Sequence, residues 1–171
     1  MRLTILFFLF SITTFIHANM SDLFNGIETV SKSIDISTSE KPLLVDIRGN
    51  EYFEKDITSS SLGKVVIQNV WTTWCGELCI SDINLLNELQ SKNKDKLQVF
   101  GFSFENIDRD KLNKFILKNN IRYPVFSYDD NKEFFKIFGT IKGLPFTIIN
   151  SFNGTSSHTG SLNERIIKKY L

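Results

Sequence analysis

The stretch GKVVIQNVWTTWCGELC, residues 63–79, decides how the chain is read. It opens with Val65, Val66, Ile67 and Val70, a short β-branched run suited to a strand covered on both faces of a sheet. It closes on the only two cysteines in the sequence, Cys75 and Cys79, with three residues between them. Beyond them the period changes: Ile80, Ile83, Leu86 and Leu89 recur at helical spacing, and Leu85 widens the stripe until the polar segment SKNKDK ends it. The cysteines therefore sit where a central strand hands over to a helix, at the carboxyl end of the strand, where α/β proteins place their sites. Three readings stand at this point: a redox pair with one residue added, a metal clip, or two buried thiols.

Geometry admits the first. An ideal helix puts Cα atoms about 6.2 Å apart at i,i+4, inside a disulfide window that reaches roughly 6.8 Å. Cβ atoms on a helix tilt toward its N-terminus, which helps the pair to meet. Free backbone N–H groups at the helix start favour an anion, so Cys75 is expected to have a lowered pKa and to act as the attacking sulfur. Cys79, about a turn further in, is expected to be less exposed and to resolve a mixed disulfide. Glu77, between them, pulls the other way, because a carboxylate disfavours a nearby thiolate.

The same alternation of periods runs along the rest of the chain. LLVDIRGNEYF (Leu43–Phe53) reads as a hairpin turning at Gly49-Asn50. LQVFGFSFE is a second core strand, and DRDKLNKFILKNN an amphipathic helix with Asp108 as its cap and Leu112, Phe115 and Ile116 inward. YPVFSYD reads as a short strand and NKEFFKIFG as a short helix closed by Gly139. FTIINSFNGTSSHTG is a hairpin turning at Asn153-Gly154, and NERIIKKYL is a terminal helix. Strands that alternate with helices and end in a hairpin predict an α/β fold: a central mixed sheet flanked by helices, with an N-terminal β-hairpin extension. A chain of 171 residues is enough for one such domain. Most of the Phe residues are expected in its core.

Twenty basic residues against nineteen acidic ones give a net charge of +1, which carries no electrostatic footprint for nucleic acid. The opening MRLTILFFLFSITTFIHA has one Arg, an uncharged apolar run from Leu3 to Ile16 and a small residue at Ala18, the layout of a secretory signal. We divide the chain into a signal over residues 1–18, a polar lead-in over 19–41 with one short helix around residues 23–30, and the domain over 42–171. An uncleaved membrane anchor is the alternative for the first segment. Export to an oxidising compartment makes a stable cysteine pair natural.

The segments GKVVIQNVWTTWC, GFSFENIDRDKLNKFILKNNIRYPVFSYDDNKEFFKIF, GLPFTIINSFNG and HTGSL together resemble the TlpA/ResA-type exported thioredoxin-like thiol-disulfide oxidoreductases. The likeness runs from about Leu43 to Leu171. It implies a thioredoxin-like fold and dithiol–disulfide exchange, with Cys75 as nucleophile, Cys79 as the resolving cysteine and a disulfide between them. It also implies an assisting acid at Asp82 and a cis-proline at Pro145, with Trp74 and Leu144 beside it in substrate binding. No cofactor is needed. The implied partners are proteins with thiols or disulfides and a membrane thiol reductant, with no nucleic acid. A monomer is expected, in the periplasm or anchored facing it, and cytochrome c maturation is one role the family suggests. Two departures stand out: the family pattern is C-x-x-C, and Asn84 occupies the place of its helix-kinking proline.

Two rival classes are weighed against this. C-x-x-x-C also resembles the Sco-type copper chaperones, since thiolates suit Cu(I). That reading needs a third ligand, and after the signal only His158 is offered. A turn at Asn153-Gly154 would pair His158 with Ile149, roughly 13 Å from Pro145, which makes it a surface hairpin residue. The other rival is a binding module that kept the fold and lost catalysis. Asp82 has two readings of equal standing, a solvent-facing helix carboxylate or a proton-transfer group.

Overall fold

The computed structural model describes residues 41–57 and 63–171. The signal, nearly all of the lead-in and its short helix lie outside the described residues. Strands β1 (Leu44–Val45) and β2 (Glu51–Tyr52) form a small antiparallel pair, and a short helix α1 (Glu54–Ile57) follows. Then come β3 (Val65–Trp71), α2 (Glu77–Lys92), β4 (Leu97–Ser103), α3 (Arg109–Lys118) and β5 (Val125–Ser127). A one-turn helix α4 (Lys132–Phe135) runs into a 3-10 turn (Lys136–Phe138), and β6 (Phe146–Ser151), β7 (Gly154–Thr159) and α5 (Glu164–Lys168) complete the chain.

The main sheet has the order β5-β4-β3-β6-β7. The pairs β3–β4 and β4–β5 are parallel, joined by helical crossovers; β3–β6 and β6–β7 are antiparallel. Every residue of β3 is buried, as its β-branched run requires. Its alternate side chains feed two layers. Val65, Ile67 and Trp71 pack with Cys79, Ile83, Leu86 and Leu89 of α2 and with Leu112 and Ile116 of α3. Val66 and Val70 join Phe100, Phe102, Phe126, Phe134, Phe135 and Phe138 on the opposite face. Phe102 is the hub of that aromatic layer, with ring centroids 5.0–5.5 Å from Phe126, Phe134, Phe135 and Phe138.

The expected elements are present, with differences at both hairpin turns. The first hairpin turns over Asp46–Asn50 rather than at two residues, because the Asp46 carboxylate gathers the loop: Oδ1 accepts from the N–H groups of Arg48 and Asn50, and Oδ2 from the Asn50 side-chain amide. That hairpin docks on the β5 edge, where the Ile47 N–H donates to the Val125 carbonyl and Asn131 bonds both backbone groups of Val45. The last hairpin turns over Phe152-Asn153, one residue earlier than read from Asn153-Gly154, so Ser151 pairs with Gly154 and His158 pairs with Thr147 instead of Ile149. Asp108 caps α3 as expected, accepting from the N–H groups of Asp110 and Lys111. Of the three side chains read as inward on that helix, Leu112 and Ile116 are buried and Phe115 is half-buried, its ring stacked on Trp71.

At one point the backbone itself must be bare. A Cβ on Gly101 would lie 2.8 Å from a ring carbon of Tyr123 and 3.2 Å from Trp71 Nε1. Both rings are fully buried and have no space to retreat into. Gly101→Ala is therefore expected to lose about 1–3 kcal/mol of stability by overpacking, read from the shift in urea midpoint relative to wild type.

Candidate active site

Strand β3 ends at Trp71, which is fully buried, and the chain then turns tightly: the Cys75 N–H donates to the Thr72 carbonyl at 3.2 Å. Glu105, just past β4, steadies this turn by accepting from the Thr73 N–H and, at 3.2 Å, from the Thr73 hydroxyl. Gly76 follows with φ 75°, a left-handed conformation that suits glycine, and serves as the N-cap of α2. The first i→i−4 bond of the helix runs from the Ile80 N–H to the Gly76 carbonyl at 3.2 Å. Cys75 thus stands ahead of the helix, whereas the sequence reading treated both cysteines as helical. The Cα–Cα separation is 5.7 Å, shorter than the ideal helical value of about 6.2 Å, and the two sulfurs are joined in a disulfide. Helix α2 continues unbroken past Asn84 to Lys92.

The two cysteines differ sharply in access. Cys79 is 1% exposed and belongs to the core, whereas Cys75 is half-buried at the surface. Trp74 beside it is 72% exposed, a large apolar side chain left in water. A groove of about 480 Å³ opens next to Cys75, lined by Trp74, Phe104, Ile141, Lys142, Gly143 and Leu144. The Leu144–Pro145 bond is cis, and the Pro145 carbonyl accepts from the Gly160 N–H at 2.8 Å. The sequence reading named Trp74, Leu144 and Pro145 in this region. It missed Phe104, which reaches the groove from the loop after β4, and Ile141 and Lys142, which precede Leu144 on the proline loop.

Asp82 lies one turn after Cys79 on the same side of α2. It is fully buried, which removes the reading as a solvent-facing carboxylate. Its Oδ1 accepts from the Leu162 N–H at 2.8 Å, and its Oδ2 has no hydrogen-bond partner among the described residues. Burial pushes its pKa from 3.8 up to about 6, against opposing contributions from the Leu162 N–H and from His158. Tyr123, also fully buried, has its pKa raised by burial and by the charge of Asp82. Among the described residues no three His, Cys, Asp or Glu side chains are grouped to hold a metal. No helix among those residues is long and apolar enough to cross a membrane.

This five-stranded mixed sheet, with the cysteine pair at a strand-to-helix turn, is a thioredoxin-like fold. No protein-family model matches the chain. In sequence it is similar to the thiol-disulfide oxidoreductase ResA of Bacillus thuringiensis subsp. konkukian, 28% identical over 137 residues that span 77% of this chain and 73% of that protein. It is also similar to the thiol:disulfide interchange protein DsbE of Escherichia coli strain K12, 27% identical over 118 residues, 68% of this chain and 60% of that protein's length. In fold it matches a secreted Mycobacterium tuberculosis disulfide oxidoreductase at TM-score 0.59 and 14% identity, over 74% of this chain and 91% of that one. StoA of Bacillus subtilis matches at TM-score 0.58 and 14% identity, over 74% and 92%. The chain is thus similar in sequence to thiol-disulfide oxidoreductases of the ResA and DsbE type, and its fold is thioredoxin-like.

The buried acid has a measurable signature. Because the folded carboxyl releases its proton near pH 6 rather than 3.8, its protonated form contributes stability that is complete below 3.8 and is lost as pH rises through about 6. Asp82→Asn, which keeps the acceptor for Leu162 and has no charge to bury, is expected to be more stable than wild type by about 2 kcal/mol at pH 7. The advantage should fade between pH 6 and pH 4 in urea denaturation curves.

Proposed function

We propose that the protein is an exported thiol-disulfide oxidoreductase that exchanges a dithiol for a disulfide with protein substrates through Cys75 and Cys79. The observation that carries this reading is the unequal exposure of one bonded pair, with Cys75 at the rim of an apolar groove and Cys79 in the core. In the reduced enzyme the Cys75 thiolate attacks one sulfur of a substrate disulfide. The substrate S–S bond breaks, a mixed disulfide forms, and the first substrate thiolate leaves. Cys79, as thiolate, then attacks Cys75 Sγ; the mixed bond breaks, the second substrate thiolate leaves, and the Cys75–Cys79 bond forms. Two electrons pass from the enzyme to the substrate, and both thiolates are protonated as they leave. The reverse sequence oxidises a substrate dithiol.

Each neighbouring side chain has a part. Trp74 and Leu144 offer apolar contact to the polypeptide that carries the substrate sulfur, and Pro145 shapes the backbone across from Cys75. Asp82, ionised above about pH 6, takes the proton from the Cys79 thiol, which has no water to give it to in the core. The secretory layout of residues 1–18 supports action outside the cytoplasm, in the periplasm or at the outer face of the membrane. A disulfide that persists is in keeping with that compartment.

Insulin reduction by dithiothreitol tests the reading. The protein should accelerate precipitation of the insulin B chain, and Cys75→Ser should reduce the rate to that of dithiothreitol alone. Cys79→Ser should retain the first step and accumulate a mixed disulfide visible by mass spectrometry. A wild-type protein that adds nothing to the dithiothreitol rate would leave a fold without the activity.

A further inference from the structure

The closing hairpin brings a residue to the site that the sequence reading had set aside. In the sheet register Asn69 stands opposite Gly101 on one side and Thr147 on the other, and Thr147 stands opposite His158. Directly paired positions share a face of the sheet. Asn69 alternates with Ile67 and Trp71, so this row lies on the face that α2 covers. Asn69 and Thr147 are fully buried and joined by a 3.0 Å hydrogen bond from the Asn69 amide to the Thr147 hydroxyl. His158 ends the row, half-buried at the sheet edge.

From His158 the chain folds back over the start of α2, and four hydrogen bonds hold it there. The His158 Nε2 donates to the Ser161 carbonyl at 3.1 Å. The Gly160 N–H donates to the Pro145 carbonyl at 2.8 Å, the Ser161 hydroxyl to the Leu78 carbonyl at 3.4 Å, and the Leu162 N–H to Asp82 Oδ1 at 2.8 Å. One short strap therefore touches the proline loop, the first turn of the cysteine helix and the buried acid.

We propose that His158 is a positioning residue for thiol-disulfide exchange, acting on Asp82 both by fixing this strap and by the charge of its imidazolium. The inference rests on the assignment of Asp82 to the exchange reaction. Protonated His158 favours the ionised carboxylate, in the same sense as the Leu162 N–H and against burial. Tyr123, whose proton affinity is raised by the charge of Asp82, is neutral and buried and supplies no positive charge.

Two variants separate strap from charge. His158→Gln keeps a side-chain N–H for the Ser161 carbonyl without the charge; His158→Ala removes both. The Asp82 carboxyl is followed by its ¹³C chemical shift against pH, with Asp82→Asn identifying the resonance, and near-UV circular dichroism reports the fold. In both variants the Asp82 midpoint should rise by about half a pH unit relative to wild type, and the pH profile of the exchange rate should move with it. Only the Ala variant should also lose rate at every pH. An Asp82 midpoint in the folded Gln variant equal to that of wild type would overturn the charge role, and an Ala variant indistinguishable from Gln would overturn the strap. The chemical-shift titration reads the coupling even if insulin reduction fails, so the two proposals fall separately.

Discussion

The bond between Cys75 and Cys79 joins a sulfur at the surface to a sulfur in the core, and the rest of the site is arranged around that crossing. Covalent geometry allows only a few ångströms between the two Cα atoms, so the chain must pass from outside to inside within one turn. It does so because β3, sealed on both faces, delivers the turn at a fixed height, and Gly76 adopts a left-handed backbone that redirects the chain into α2. Glu105 braces the turn from the neighbouring loop. This change of direction shortens the Cα separation below that of a regular i,i+4 pair.

Placing the second cysteine in the core creates an electrostatic difficulty. A thiol that must lose its proton away from water needs an acceptor close by, and an acceptor in the core is itself penalised by burial. In the proposed exchange Asp82 is that compromise: one oxygen is satisfied by the Leu162 N–H, the other has no partner among the described residues, and its proton affinity rises toward the neutral range. The stability cost is borne by a domain whose opposite face is densely packed with aromatic rings. Function and stability therefore pull against each other at one side chain, while the Phe102 layer across the sheet lies apart from the chemistry.

Much of the architecture was legible because it is periodic. The β-branched run of β3, the helical stripe of α2, the Asp108 cap and the glycine after Phe138 are local signals, and each is found where the residues indicate. The readings that failed are at the two hairpin turns, where residue type alone does not fix how the flanking strands align. Asn153-Gly154 is a strong turn signal, yet the chain turns one residue earlier, and the two-residue change in pairing carries His158 from Ile149 to Thr147. The loop over Asp46–Asn50 looked like a glycine turn and is held by a carboxylate.

The sequence by itself determined the order and type of the elements, the position of the cysteines at a strand-to-helix junction, and the groups able to do redox chemistry, since spacing and residue type are local properties. Only the tertiary structure decided that Asp82 is buried and that Phe104, Ile141, Lys142 and His158 stand around the site. Burial depends on what is laid over a residue, and contact depends on how strands far apart in the chain are aligned. Neither is written in any single segment.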